Sequence, residues 1–331
     1  MKHIFKSKVF LFFLGIIGVG FIFLNIPALP SAPPEIYGVT FSPWQAQSFG
    51  LDWKATYHGL LDDLGVRRFR ISAYWNTIEG KDDQFFFDDL DYQLDQAQSR
   101  GAKVILAVGR KLPRWPECHE PDFLKGASKE KMKEELLEYL TRVMERYHDA
   151  PAIWAWQVEN EMFFPFGNCP NLHGTPLLSE EVKLVRSYSS KPVVISDAGE
   201  WSTWIPAALQ GDILGASLYR EAWNENFGYI GFPIQEGYYQ IRALLLEKLF
   251  NKEVIFTEVQ AEPWGPKAAQ NMTAQEALQY MSVAKLQRNI AFASRVGFRE
   301  VYLWGAEWWY WMKLQGDDTI WNSLREVFKE K

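Results

Sequence analysis

The sequence predicts an α/β protein built as a single eight-stranded β/α barrel. Short apolar runs alternate with longer amphipathic stretches from Ile36 to the C-terminus, and such alternation indicates a parallel sheet. Eight of these runs occur, and residues 36–331 number about 295, enough for one barrel of ~250 residues with insertions. The chain has no GxGxxG or P-loop pattern of the kind found in open, nucleotide-binding sheets.

Near-continuous apolar strands such as Val104–Val108 are what a parallel sheet covered by helices requires. The predicted strands are Gly38–Phe41, Arg68–Ser72, Val104–Val108, Ile153–Val158, Val193–Ser196, Ile213–Ser217, Val254–Thr257 and Val301–Trp304.

Helical patterns separate the strands. They are Trp53–Leu64, Leu90–Arg100, Ser128–His148, Glu180–Ser189, Gly237–Asn251, Thr273–Val296 and Ser323–Lys329. Gly65, Gly101 and Gly297 follow three of these patterns, where a left-handed residue ends a helix. Thr273 and Glu276 have the spacing of a capping box.

The N-terminus differs from the rest of the chain. A basic flank over residues 1–8 precedes an apolar stretch over residues 9–29, close to the ~20 residues needed to cross a bilayer. We expect an uncleaved signal anchor, with a cleaved signal peptide and a buried core helix as alternatives. The basic flank would be cytoplasmic and the domain 36–331 extracytoplasmic, or secreted if the segment is cleaved. The Pro-rich stretch 30–35 would form a stiff linker.

Charge and cysteine content narrow the possible functions. The net charge of −6 and pI of about 5.5 argue against nucleic-acid binding, which needs a basic surface. Cys118 and Cys169 are too few for a zinc site. Both follow predicted strands, so we expect a disulfide between them, with two unpaired thiols as the alternative. No His-x-His or His-Glu-x-x-His pattern occurs, and we expect no metal or other cofactor.

Carboxylates stand at the ends of two apolar strands. The fourth strand ends in Glu159, Asn160 and Glu161, and the seventh ends in Glu258. Chemistry in such barrels lies at the C-terminal ends of the strands, and a buried carboxylate there is costly without a purpose or a partner. A facing pair, one an acid and one ionised, is what glycosidic bond cleavage needs. Glu159 should point the opposite way from Asn160, so we do not expect it to be catalytic.

The Trp-x-x-x-Asn-Glu ending of the fourth strand and the Thr-Glu ending of the seventh resemble the retaining glycoside hydrolases of clan GH-A. That clan includes the family 5 cellulases and mannanases, the β-galactosidases and the family 39 enzymes. The resemblance covers the whole barrel and implies that Glu161 is the acid/base and Glu258 the nucleophile of a double displacement. It also implies that Asn160 binds the sugar 2-hydroxyl and that Trp304 forms the floor of the adjacent subsite.

Further site residues follow from the same resemblance. Arg70 matches the strand-two arginine that would keep Glu258 ionised, and Tyr219 matches a residue that hydrogen-bonds the nucleophile. Arg110 lies where many family 5 enzymes have a histidine, which suggests a different sugar contact.

Aromatic and acidic residues near the strand ends are candidates for sugar binding. Many of the 15 tryptophans follow predicted strands, and Trp75, Trp264 and Trp308 are the first choices for sugar stacking; packing of the loops is the alternative. Asp197 could bind sugar hydroxyls or cap a helix, and Glu200 is a further candidate. The aromatic stretch Glu221–Glu236 could form a wall of the cleft.

Two other functions were weighed against a glycosidase. A non-catalytic carbohydrate-binding barrel would keep the aromatic cleft, but the intact glutamate pair argues against it. An aldolase-type barrel would need a lysine at a strand end, and none is predicted there. The partners expected are a carbohydrate substrate and, through the N-terminal segment, a membrane. The sequence implies neither a nucleic acid nor an obligate protein partner.

Overall fold

The computed structural model describes residues 23–81, 83–169 and 175–329, and its centre is a closed barrel of eight parallel strands. The barrel prediction is therefore confirmed. In chain order the strands are β1 (Ile36–Phe41), β2 (Arg68–Ser72), β3 (Lys103–Val108), β4 (Ile153–Val158), β5 (Val193–Asp197), β6 (Ile213–Leu218), β7 (Glu221–Asn224), β8 (Gly228–Gly231), β9 (Glu253–Gln260) and β10 (Glu300–Trp304). Strands β7 and β8 form a separate antiparallel hairpin, and the barrel closes in the order β1-β10-β9-β6-β5-β4-β3-β2.

Helices surround the barrel. They are Pro43–Ser48, Trp53–His58, Trp75–Ile78, Asp88–Ser99, Lys129–Tyr147, Thr175–Tyr188, Ile205–Ala208, Glu236–Phe250, Ala274–Tyr280, Val283–Val296, Ala306–Leu314 and Thr319–Phe328, with a π-helical turn at Gly59–Asp63 and 3-10 turns at Asp122–Leu124 and Ala269–Asn271.

One helix prediction differs in kind from the structure. The pattern Thr273–Val296 forms two helices, because Ser282 starts a second helix by accepting a hydrogen bond from the backbone N–H of Lys285. The capping box of Thr273 and Glu276 is present at the start of the first. The apolar period runs through the break, so periodicity alone does not reveal it.

The barrel interior has an apolar layer beneath a polar one. Six residues from six strands form a buried apolar cluster in the lower barrel: Ile105, Ala155, Val194, Ile213, Ile255 and Tyr302. Above it, Arg70, Gln157 and Glu258 are buried, and Arg70 donates hydrogen bonds to both Gln157 and Glu258. The outward side chains of the strands pack beneath the helices in the main hydrophobic core. The polar layer therefore lies at the C-terminal mouth of the barrel.

A β-bulge in β9 re-aims the side chain of Glu258. Ile255 belongs to the interior cluster, whereas Phe256 and Val259 pack in the outer core. Strict alternation from Ile255 would turn Glu258 outward, as Phe256 is, and Val259 inward. The register of β9 shifts at this point against both of its neighbours, and bulges of this kind redirect side chains near active sites. As a result Glu258 points into the barrel.

The segment before β1 lies against the barrel. The backbone N–H of Gln235 donates to the carbonyl of Leu24 at 2.9 Å, and the Leu29 N–H donates to Gln240 Oε1 at 2.7 Å. The predicted Pro-rich linker is thus part of a docked segment. Within the described ranges no helix has the length and apolarity needed to cross a membrane. Apart from residues 23–29, the predicted span at 9–29 lies outside the described residues.

Candidate active site

The end of β4 departs from regular strand geometry and presents Asn160 and Glu161 to the barrel mouth. Glu159 and Glu161 have left-handed backbones, with φ of 59° and 44°. Such conformations cost about 1–3 kcal/mol each in residues with side chains and cluster at functional sites. The backbone N–H of Glu161 donates to Ser196 Oγ at 3.0 Å, and Lys111 Nζ donates to the Glu161 carbonyl at 2.9 Å. These contacts hold the strained turn in place.

Arg70 is the hub of the polar layer. Its guanidinium is fully buried and donates to Gln157 Oε1, Glu258 Oε1 and Asn160 Oδ1, each at 2.7 Å. Three donors in a rigid fork give charge-assisted bonds of fixed direction. The arginine therefore fixes Glu258 and Asn160 relative to each other, as the resemblance implies.

The second oxygen of Glu258 is held by Tyr219. The tyrosine hydroxyl donates to Glu258 Oε2 at 2.9 Å. Glu200 holds the tyrosine in turn, because it accepts a hydrogen bond from the Tyr219 backbone N–H at 3.2 Å. Glu200 also accepts a hydrogen bond from Tyr239 at 2.7 Å, so it acts as a support behind the site.

Glu161 carries the features of a proton donor. Ser217 Oγ lies 2.7 Å from Glu161 Oε1, and the side chain is buried. Burial, together with the negative charge of Glu258, raises the pKa of Glu161 to about 8. A carboxyl group with such a pKa is protonated at neutral pH, as a general acid must be.

The site contains a third carboxyl group, that of Glu117, which the sequence did not single out. Glu117, in the loop after β3, accepts a hydrogen bond from Asn160 Nδ2 at 3.1 Å. Burial and the nearby charge of Glu258 raise the pKa of Glu117 to about 8. No sequence signal separates Glu117 from the other polar residues of its loop. Ser196 and Ser217 could have been noticed as polar residues near the ends of apolar strands.

Trp304 lies at the mouth end of β10, as the floor of a subsite would. Its indole Nε1 donates to Glu262 Oε1 at 2.6 Å, and the Arg114 guanidinium stacks on the ring at 3.9 Å from its centroid. Arg114 also pairs with Glu262 at 2.6 Å and with the buried Glu307. One face of the indole is therefore covered by Arg114, and Trp304 is 8% exposed.

Four of the predicted sugar contacts have buried side chains: Trp75, Trp308, Asp197 and Arg110. Trp75 and Trp308 are both 0% exposed, so neither indole offers a face for stacking; Trp75 instead packs on Tyr139. Asp197 is fully buried and accepts hydrogen bonds from the Ala198 N–H and the Ser202 hydroxyl. The N-cap of the following helix is Trp204, so Asp197 does not cap it.

Arg110 is buried in an ion pair with Glu120. The Glu159 side chain lies beside this loop. It accepts hydrogen bonds from the backbone N–H groups of Arg110 and Lys111, at 2.7 and 2.6 Å. Glu159 therefore points away from the polar layer, as expected.

Aromatic rings line part of the rim. Trp264 is half-buried and packs edge-on against Tyr219, with ring centroids 5.2 Å apart. Phe166 contacts both Trp264 and the exposed Trp115. Trp264 therefore lies next to Tyr219, which donates a hydrogen bond to Glu258.

The predicted wall after β6 is the β7–β8 hairpin. The side chain of Gln260, at the end of β9, accepts from the backbone N–H of Glu221 at 3.2 Å and donates to its carbonyl at 2.9 Å. Trp223 and Tyr229 pair across the hairpin, with centroids 5.1 Å apart. The base of the hairpin is therefore fixed two residues beyond Glu258.

Loops at the mouth are joined covalently. Cys118 and Cys169 form a disulfide between the loops after β3 and β4, which is the predicted pairing. Within the part of the chain that the structure describes, no cluster of His, Cys, Asp and Glu side chains has a geometry suited to a metal ion.

The comparisons with known proteins are consistent with the resemblance of the strand-end motifs to the glycoside hydrolases of clan GH-A. The family model that matches, over residues 47–171, is that of glycoside hydrolase family 42, described as β-galactosidase. No curated protein matches the chain.

Several solved structures share the barrel. The β-galactosidase from Rahnella sp. R3 is 12% identical with a TM-score of 0.59, over 90% of this chain and 56% of that one. The β-galactosidase from Marinomonas ef1 is 16% identical with a TM-score of 0.54, over 81% and 53%. The GH5_18 protein from Bifidobacterium longum subsp. longum ATCC 55813 is 14% identical with a TM-score of 0.57, over 88% and 78%. The chain spans about half the length of the two β-galactosidases, and at these identities the likeness concerns the fold.

Proposed function

We propose that the protein is a retaining glycosidase that cleaves β-linked O-glycosidic bonds in an oligo- or polysaccharide. The observation that carries the proposal is the unequal environment of two carboxyl groups at one barrel mouth. Glu258 is held by Arg70 and Tyr219, and a cationic partner favours an ionised carboxylate. The Glu161 carboxyl group accepts a hydrogen bond from the Ser217 hydroxyl instead, and the backbone N–H of Glu161 donates to Ser196. Environments that separate two carboxyl groups in this way assign the acid and the nucleophile.

The reaction follows from these two roles. The Glu258 carboxylate attacks the anomeric carbon and forms a C–O bond, while the bond to the leaving oxygen breaks and Glu161 transfers its proton to that oxygen. In the second step Glu161 takes a proton from water, the water oxygen bonds to the anomeric carbon, and Glu258 leaves with its electron pair. This mechanism requires carboxyl groups about 5 Å apart. It also requires no metal or other cofactor.

The surrounding residues have separate tasks in this proposal. Asn160, oriented by Arg70, would bind the hydroxyl next to the anomeric carbon. Trp304 and Trp264 would offer apolar ring faces to sugar C–H groups. The β7–β8 hairpin would limit the cleft on one side.

Turnover by two variants tests the proposal. Glu258→Gln should abolish hydrolysis of an aryl β-glycoside that the wild-type chain cleaves. Glu161→Ala should retain hydrolysis only of substrates with a good leaving group, and added azide should restore rate by replacing the second-step water. Full activity of Glu258→Gln would refute the mechanism. Failure of the wild-type chain on a broad panel of glycosides, with retained glycan binding, would favour a carbohydrate-binding barrel.

We also propose that the barrel works outside the cytoplasm, either tethered by residues 9–29 or secreted. The basic flank and apolar stretch of the N-terminal sequence support this, as does the disulfide, because such bonds persist in oxidising compartments. Protease treatment of intact cells should digest a tethered barrel, or the barrel should appear in the medium. Recovery of protected, fully reduced protein from the cytosol would contradict the proposal.

A further inference from the structure

The Glu117 carboxyl group is only half used by the residues around it. Its Oε2 accepts one hydrogen bond, from Asn160. Among the residues that the structure describes, none forms an ion pair with Glu117 and none donates a hydrogen bond to its Oε1. Glu117 is 6% exposed, against 9% for Glu161 and 5% for Glu258. Burying a carboxyl group to this degree costs several kcal/mol if it lacks partners. We therefore expect a ligand to be the partner of the second oxygen.

The loops around Glu117 are built to hold it in place. Glu117 has a left-handed backbone, with φ of 73°. The backbone of Gly167 lies directly against its side chain: a Cβ at Gly167 would come within 2.4 Å of the Glu117 Cβ. Gly167 belongs to the loop after β4. Cys118, the residue after Glu117, forms a disulfide with Cys169 of that same loop. Backbone strain, close packing and a covalent link therefore meet at one residue.

Hydrogen bonds connect Glu117 to the residues around Glu161 and Glu258. Asn160 bridges Glu117 and Arg70, since its Nδ2 donates to Glu117 and its Oδ1 accepts from Arg70. Burial, followed by the charge of Glu258, raises the pKa of the Glu117 carboxyl group and helps to keep it protonated. A neutral carboxyl group can donate one hydrogen bond and accept others, which suits the hydroxyl of a sugar.

We propose that Glu117 is a substrate-binding residue of the proposed glycosidase, hydrogen-bonded through its second carboxyl oxygen to one hydroxyl of the sugar beside Glu161 and Glu258. This inference rests on the proposed function and adds a sugar contact from the loop after β3. The disulfide and Gly167 are what hold the contact in position.

Monodeoxy substrates test the contact directly, in the full chain. For a glycoside that the wild type cleaves, Glu117→Ala should lower kcat/KM by at least about tenfold, the loss expected for one hydrogen bond to substrate. Glu117→Gln, whose amide can still donate, should lose less than about threefold by the same reasoning. With the analogue that lacks the contacted hydroxyl, wild type and Glu117→Ala should have nearly equal kcat/KM. Loss of structure alone would reduce activity on every analogue alike.

The glycines supply a matched pair of further variants. Gly167 and Gly126 both have positive φ, 92° and 83°, but a Cβ at Gly126 meets nothing within 4 Å. Gly167→Ala should therefore reproduce the deoxy-substrate pattern of Glu117→Ala, whereas Gly126→Ala should leave kcat/KM near that of the wild type. If Glu117→Ala does not fold, Glu117→Asp, which withdraws the carboxyl group by one methylene, takes its place.

The outcomes separate the two proposals. Equal losses on all deoxy analogues, or full activity of Glu117→Ala, would overturn the role of Glu117 while leaving the glycosidase proposal intact. Absence of turnover by the wild-type chain would overturn both.

Discussion

Ser217 and Glu258 are register partners in the neighbouring barrel strands β6 and β9. Ser217 also donates its hydroxyl to Glu161 at 2.7 Å, so a single small residue separates the two carboxyl groups. The proposed mechanism requires the two carboxyl groups to lie about 5 Å apart, the separation for direct attack on an anomeric carbon.

Arg70 should be hard to replace even by lysine. Arg70→Lys keeps the charge but cannot donate to Gln157, Glu258 and Asn160 at once. Each lost bond to a buried polar group costs about 1–3 kcal/mol, so we expect kcat/KM to fall by about 100-fold or more and thermal stability to drop. Arg67→Lys, whose guanidinium bonds backbone carbonyls away from the mouth, is the control. Equal kinetics for the two variants would show that the hydrogen bonds of Arg70 do not support turnover.

Tyr219→Phe should weaken the proposed nucleophile without disturbing the fold. The change deletes one hydrogen bond to Glu258, so kcat/KM should fall by about tenfold for a loss near 1.4 kcal/mol. Tyr147→Phe, which removes a bond to Asp91 on the outer surface, should leave kinetics unchanged. Steady-state kinetics on one aryl glycoside distinguish them; an unchanged Tyr219→Phe would mean that the hydroxyl does not act on Glu258.

The raised pKa of Glu161 predicts a dependence of stability on pH. The pKa of Glu161 in the folded protein is about 8 against its ordinary value of 4.5, so the stability contribution is complete below the unfolded-state pKa and is lost as pH rises through about 8. Glu258, Glu117 and Asp197 on one side and Lys111 on the other are the charges that face this group. Between pH 4.5 and about 8 the free energy of unfolding of the wild type should fall as pH rises. Glu161→Gln should reduce that slope by up to about 1.4 kcal/mol per pH unit.

An exposed carboxylate gives the control for this measurement. Lys267 and the Thr273 N–H lower the pKa of Glu276 to about 2. Glu276 is thus ionised in both folded and unfolded protein from pH 5 to 8, and Glu276→Gln should leave the slope unchanged there. Urea unfolding at several pH values provides the data. An identical slope in wild type and Glu161→Gln would contradict the elevated pKa.

The disulfide should contribute to both stability and activity. Cys118 and Cys169 are 51 residues apart, and removing a bond that closes such a loop costs about 2–4 kcal/mol. We expect the Cys118→Ser, Cys169→Ser double variant to unfold at lower temperature and to lose activity, because Glu117 is adjacent to the bond. Calorimetry and kinetics with and without a reductant measure both effects. Unchanged activity in the reduced wild type would show that the two loops hold Glu117 without the bond.

Sequence patterns predicted the barrel and the two strand-end glutamates because the order of elements and the abrupt change from apolar to acidic residues are local features. The direction of Glu258 was not predictable from alternation, since the bulge in β9 depends on pairing with two neighbouring strands. Trp75 and Trp308 follow strands as predicted, but whether an indole turns into the cleft or the helix layer depends on tertiary packing. Glu117 becomes visible only when its loop is folded against Asn160.

Covalent trapping tests the central claim most directly. A 2-deoxy-2-fluoro glycoside with an activated leaving group slows the second step more than attack by the nucleophile. Incubated with the full chain, it should add the mass of one glycosyl unit, and peptide mapping should place that unit on Glu258. No adduct on a chain that cleaves the parent glycoside, or an adduct on another residue, would contradict the account.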